Sequence, residues 1–147
     1  WLRSDVLRKR MAGILPEERL PAASYTPATA RAVYARVLDE ARAVLEAGQS
    51  VIIDAAFLKP EERGEVSSLA RRMGCAFTGI WLEAPGDLLR ERVAARRDDA
   101  SDADAAVVES QLDRDVGAIG DWHKVDASGT PQEVAARLAP IFGWRSS

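Results

Sequence analysis

Val51-Ile52-Ile53 is a continuous run of β-branched apolar residues that stops at Asp54, and nothing else in the chain narrows the fold as far. A strand with one wet face alternates apolar and polar residues. A strand covered on both faces does not, and such strands are typical of parallel sheets. Parallel strands need crossover helices, and helix starts lie on both sides of this run. Thr26-Pro27 opens the strongest one, with Thr as N-cap and Pro at the first helical position. Its apolar positions Ala30, Val33, Tyr34, Val37, Leu38, Ala41, Val44 and Leu45 keep helical spacing, and Gly48 closes it. Pro60 starts the next helix, to about Met73, with Gly74 after it.

The rest of the chain continues the alternation. Trp1-Leu2 reads as the tail of a strand, and Ser4 as the N-cap of a helix through Met11 that Gly13 ends. Residues 13–26 carry Pro16 and Pro21 and read as a loop. Phe77 to Leu82 is the next strand, and Pro85 starts a helix through Arg97. A polar stretch, Asp98 to Asp102, separates it from a helix over about residues 103–116. Lys124-Val125-Asp126 makes a last short strand and Pro131 to Phe142 a final helix. Strands alternating with helices in ~30-residue units indicate an α/β fold with a mostly parallel sheet. With no internal repeat and no dividing linker, residues 1–147 read as one domain.

Composition removes several classes. At 147 residues and 47% hydrophobic, the chain can bury a core and is not a disordered or low-complexity segment. No stretch approaches the ~20 uninterrupted apolar residues of a membrane span, so a soluble protein without a membrane partner is expected. A net charge of -3 argues against binding nucleic acid by bulk charge. Cys75 is the sole cysteine, which excludes an internal disulfide and a Cys-rich zinc site and suits a reducing, cytoplasmic setting. Arginine outnumbers lysine 17 to three, and arginine is the better fork for phosphate oxygens. The chain opens Trp1-Leu2-Arg3-Ser4-Asp5, with neither a methionine nor a basic-then-apolar leader, and reads as a piece of a longer polypeptide.

Ligands of open parallel sheets bind beyond the carboxyl ends of the strands. Asp5 stands there just past the first strand, and Asp54 ends the second. An Asp after buried β-branched residues resembles a Walker B element, whose carboxylate supports Mg²⁺ directly or through water. The other reading is that Asp54 caps the following turn; a buried carboxylate needs a partner in either case. Arg90, Arg92, Arg96 and Arg97 lie on the helix that begins at Pro85, and Arg92 and Arg96 share one of its faces. That pair can straddle a transferring phosphoryl group, or be a solvated face beside Glu91 and Asp98. Asp98, Asp99, Asp102, Asp104 and Glu109 resemble a calcium loop only superficially, because Ala103 replaces its required glycine. These acids are expected to solvate a loop or cap the next helix. His123, the sole histidine, reads as a packed or hydrogen-bonded residue with no nucleophile beside it. The segment Asp126-Ala127-Ser128-Gly129-Thr130-Pro131 can line a base pocket with its backbone, or be an ordinary strand-to-helix turn.

Taken in order, Leu2-Arg3-Ser4-Asp5, Val51-Ile52-Ile53-Asp54-Ala55, Arg92-Val93-Ala94-Ala95-Arg96-Arg97 and Val125-Asp126-Ala127-Ser128 resemble the P-loop kinases of the polynucleotide-kinase and zeta-toxin type, among the AAA-type ATPases. The resemblance is greatest to the kinase domain fused behind an aminoglycoside-phosphotransferase-like domain in many bacterial proteins. It implies a P-loop NTPase fold of adenylate-kinase type, a three-layer α/β/α arrangement around a parallel sheet in strand order 2-3-1-4-5. It also implies ATP and Mg²⁺ as cofactors. By the resemblance, Asp5 is the base at the acceptor hydroxyl, and Arg3 helps hold the acceptor. Asp54 supports Mg²⁺ indirectly, while Arg92 and Arg96, with Arg97 as a third, are lid arginines on the ATP phosphates. Asp126, Ser128, Gly129 and Thr130 then lie near the adenine. The chain departs from the family in having no G-x-x-x-x-G-K-[ST]; the central strand, phosphate loop and first helix that carry it are absent. Either a gap stays in the sheet, or the strands ending at Asp54 and Leu82 close up. Ala56 also stands where relatives often carry a hydroxyl.

The leading expectation is part of an ATP-dependent kinase acting on a hydroxyl of a small molecule, inactive until a phosphate loop is supplied by a missing segment or an N-terminal fused domain. The alternative is a non-catalytic nucleotide- or protein-binding module derived from such a kinase. A nucleic-acid kinase is a third reading, disfavoured by the charge and by the lack of an aromatic-basic patch. Loop residues 13–26 are expected to contribute to acceptor recognition, and their composition suits sugars, nucleosides and aminoglycosides alike.

Overall fold

Local capping chemistry sets the starts of two of the helices. The computed structural model describes residues 1–95, 101–102 and 105–143. Thr26 accepts a bond from the Thr29 amide and opens α2 (Pro27–Glu46). Thr130 and Glu133 form a reciprocal capping box that opens α6 (Pro131–Leu138). Before α2 come β1 (Leu2–Arg3) and α1 (Ser4–Met11), and after it β2 (Ile53–Asp54), α3 (Pro60–Arg72), β3 (Ile80–Glu83) and α4 (Gly86–Ala95). They are followed by α5 (Ala105–Leu112) and β4 (His123–Asp126).

Several boundaries differ from the sequence-based expectation, among them the end of α5, at Leu112 rather than near residue 116. Ser4 is the first helical residue of α1 and Arg3 occupies the cap position without a side-chain bond, because the chain passes directly from strand to helix. The strand expected from Phe77 starts only at Ile80, where its partner His123 begins; before that the Trp122 ring lies against Gly79. The last helix stops at Leu138 rather than Phe142: Ala139 keeps helical dihedrals at φ -50° and ψ -45°, but Pro140 has no amide hydrogen to carry the ladder on.

Every strand pairing among the described residues is parallel, as the apolar run predicts. β1 pairs with β2 through Leu2–Ile53 and Arg3–Asp54, and β3 with β4 from Ile80–His123 to Glu83–Asp126. These are two separate two-stranded sheets; β2 and β3 do not close up, and the expected gap stays open. Ile52 (69% exposed), just before β2, and Leu82 of β3 (56% exposed) remain uncovered.

Leu7, Val33 and Val37 form the core of the first half, with Ile53 packed against it. A bridge joins this half to the second. The Phe57 ring meets Tyr34 at 5.6 Å and Trp122 at 5.2 Å, and Phe77 continues the chain of rings at 5.9 Å. Beside it, Arg63 is 4% exposed and lies 5.5 Å over the Trp81 ring. Its guanidinium donates to the carbonyls of Phe57 (2.6 Å), Val116 (2.5 Å) and Ala118 (3.1 Å). No helix among the described residues is long and apolar enough to cross a membrane.

Candidate functional site

The carboxyl ends of β1 and β2 bring Arg3, Asp5 and Asp54 to one edge. Arg3 and Asp54 face each other in the parallel register, and Arg3 Nε lies 3.4 Å from Asp54 Oδ2. Asp54 is not the buried carboxylate the apolar run suggested: 53% of its side chain is exposed, and among the described residues β2 pairs only with β1. Asp5 sits half-buried in the first turn of α1 and makes no hydrogen bond or ion pair among the described residues. A carboxylate so placed keeps its lone pairs for a ligand.

One turn beyond Asp5, Arg8 was not singled out by the sequence. Its Nε and Nη1 are buried without a hydrogen-bond partner among the described residues, and its guanidinium lies 5.2 Å over the Tyr25 ring. The available signal was the i,i+3 spacing from Asp5 along α1, which puts both side chains on one face. Burial, helped by the bond to Asp102, holds the Tyr25 phenol protonated well above its ordinary range.

Below that face, Lys9 is 1% exposed; its ammonium donates to the Pro16 carbonyl at 2.8 Å and meets Asp102 Oδ1 at 2.9 Å. Asp102 Oδ2 accepts from the Leu20 amide at 3.0 Å and from the Tyr25 hydroxyl at 2.7 Å. Burial raises the Asp102 pKa, but the bonds from Tyr25, Leu20 and Lys9 outweigh it and hold the carboxyl below its ordinary value. Asp102 therefore neither solvates a loop nor caps α5. It fastens the stretch before α5 to α1 and to the loop over residues 13–26. Asp98, Asp99 and Asp104 lie outside the described residues, and Glu109 pairs with Arg90, which also bonds Asp87 at 2.6 Å.

At the ends of β3 and β4, a hollow of about 320 Å³ is lined by Glu83, Ala84, Pro85, Lys124 and Asp126. The β4–α6 turn beside it is heavily tied. Asp126 Oδ1 accepts from the Ser128 amide at 2.9 Å, and the Ser128 hydroxyl and then this amide, before the nearby Arg137 charge, lower the Asp126 pKa. Arg92 reaches this turn and bonds the carbonyls of Ala127 and Gly129; Arg96 and Arg97 lie outside the described residues. His123 is exposed, and the contact that fixes it is its backbone amide on the Gly79 carbonyl at 2.9 Å.

No group of three His, Cys, Asp or Glu side chains among the described residues could hold a metal ion. A lone exposed carboxylate such as Asp54 still fits Mg²⁺ held mainly by nucleotide phosphates and water.

A family model described as an AAA domain matches residues 1–115. Curated relatives include the uncharacterized proteins Mb2027c of Mycobacterium bovis and Rv2004c of Mycobacterium tuberculosis. Each is 30% identical over 154 residues, an overlap that takes in 99% of this chain and 30% of the relative.

Proposed function

The chain belongs to the AAA domain family of P-loop nucleotide-binding proteins, and from that premise we propose that it forms the acceptor side and lid side of an ATP-dependent kinase for a hydroxyl on a small molecule. The observation that carries this reading is the pair of parallel two-stranded sheets whose inner edges, at β2 and β3, are unpaired. One further parallel strand between them completes an adenylate-kinase-like sheet, in order 2-3-1-4-5, and its carboxyl end emerges beside Asp54. A phosphate loop at that point comes from another segment of the polypeptide or a fused N-terminal domain. The working compartment is cytoplasmic.

In this arrangement Asp5 is the base at the acceptor hydroxyl, and the lack of a hydrogen bond or ion pair to it among the described residues supports that role. Arg3 and Arg8 hold the acceptor; the unsatisfied Arg8 edge suits an oxygen-rich or anionic group. Asp54 would support Mg²⁺ through water, and Mg²⁺ would neutralise charge on the ATP phosphates. Asp126, Ser128, Gly129 and Thr130 lie along the adenine. The lid role falls to Arg96 and Arg97. Positioning and charge neutralisation supply most of the rate in such reactions.

The test is ATP consumption by the complete protein with nucleosides, sugars and aminoglycosides as acceptors, and with a 5′-hydroxyl oligonucleotide as a separate arm. Asp5→Asn is expected to lower kcat about a thousandfold with KM for ATP little changed. An unaffected rate overturns the assignment of Asp5. The absence of G-x-x-x-x-G-K-[ST] from the chain favours one other reading, a non-catalytic nucleotide- or protein-binding module. That module would leave ATP unconsumed with every acceptor.

A further inference from the structure

We propose that Arg92 is a positioning residue of the nucleotide site, which fixes the β4–α6 turn and acts on nucleotide affinity rather than on phosphoryl transfer. The proposal rests on the reading of residues 126–130 as the adenine side of a kinase. Arg92 Nη1 donates to the Ala127 carbonyl at 2.6 Å, and Nη2 to the carbonyls of Gly129 at 2.7 Å and Ser128 at 3.3 Å. Consecutive carbonyls turned toward one point repel each other unless a cation sits among them. A guanidinium fork serves them all at once, which a point-charge ammonium cannot do.

The other polar groups of the turn are engaged as well. The Asp126 carbonyl accepts from Arg137 at 2.6 Å, and the Ala127 amide donates to the Glu83 carbonyl at 2.7 Å. The Ser128 amide is held by Asp126, and the Thr130 amide by Glu133 at 2.6 Å. Among the described residues, the Gly129 amide is the one N–H of the turn left without a partner. A Cβ there would stand 2.6 Å from the Glu133 Oε2 and 3.0 Å from its Cβ, so a side chain would have to displace the carboxylate that holds the Thr130 amide. With its carbonyls drawn inward by Arg92, the turn keeps a single uncommitted backbone donor among the described residues, suited to an acceptor atom on a ligand ring. Both Nη groups of Arg92 are engaged here, on backbone oxygen rather than phosphate.

The experiment compares the complete protein with its Arg92→Lys and Arg92→Gln variants. Amide hydrogen exchange at Ala127, Ser128 and Thr130 should quicken about tenfold in both variants, while the β3–β4 ladder amides stay as they were. The KM for ATP should rise about tenfold with kcat within about twofold. Unchanged exchange at the turn overturns the proposal. So does exchange raised throughout the ladder, which makes Arg92 a general stabiliser, and so does a kcat loss at constant KM, which places it on the phosphates. If the wild-type protein transfers no phosphoryl group, the kinase reading fails by itself. Titration with ADP then decides the role of Arg92: a weakened ADP affinity upholds it, and an equal affinity overturns it.

Discussion

Lys9 carries a charge into a site that is 1% exposed, and its opposite charge comes from Asp102, far along the chain. Removing one member of such a pair leaves the other stranded, so Asp102→Asn is expected to destabilise the fold by about 3 kcal/mol at neutral pH. The pH dependence follows from the lowered carboxyl of Asp102. Its stabilisation is complete above the unfolded value of about 3.9 and is lost as pH falls through the lower folded value. Urea unfolding at neutral pH and at pH 3 checks both points, with the variant showing the smaller loss on acidification. None of this was legible in the sequence, which shows Lys9 as one of several cations on a short helix and Asp102 as one of a run of acids. Asp5 and Asp54 were legible, because their placement depends only on following a strand. The exposure of Asp54 was not, since it depends on what lies beside β2.

At the level of elements, the helices were the readable part because their start signals are local. Thr26-Pro27, Pro60 and Thr130-Pro131 each state a beginning within a few residues, and the structure starts a helix at each proline. Strand limits depend on a partner elsewhere. The apolar run from Val51 contributes only Ile53 and Asp54 to a ladder, because β1 supplies no more than Leu2 and Arg3. At the entry to β3, Gly79 admits the Trp122 ring: a Cβ there would lie 2.5 Å from the indole. Gly79→Ala therefore has to push the ring away from the strand, at a cost of about 2 kcal/mol. The displaced indole also leaves its contact with Phe57. A red-shifted tryptophan emission together with a lower urea midpoint is the expected result; an unchanged spectrum would mean the ring does not rest on Gly79.

For the molecule as a whole, the two sheets are held in one frame by side chains rather than by a ladder. Arg63 and the Phe57–Trp122 contact span the halves, while Ile52, just before β2, and Leu82 of β3 stay exposed. Phe57 adopts a left-handed conformation at φ 46°, held by Tyr34 at its amide and Arg63 at its carbonyl. The turn after Asp54 is thus fixed by contacts within the chain. On the proposed kinase reading the ATP phosphates would have no such frame here, because loop amides and a loop lysine supply most of their binding in P-loop proteins. The chain spans only 30% of the curated relatives it matches, so the comparison to make is between this chain and the complete protein. Calorimetric titration of the 147 residues with Mg-ATP should give a dissociation constant no tighter than about millimolar, whereas the complete protein should bind in the micromolar range. Asp54→Ala in the complete protein should weaken that binding about tenfold by removing support for the metal. Micromolar binding by the 147 residues would show that the phosphates find their donors within this chain, and the inserted-strand arrangement would have to be abandoned.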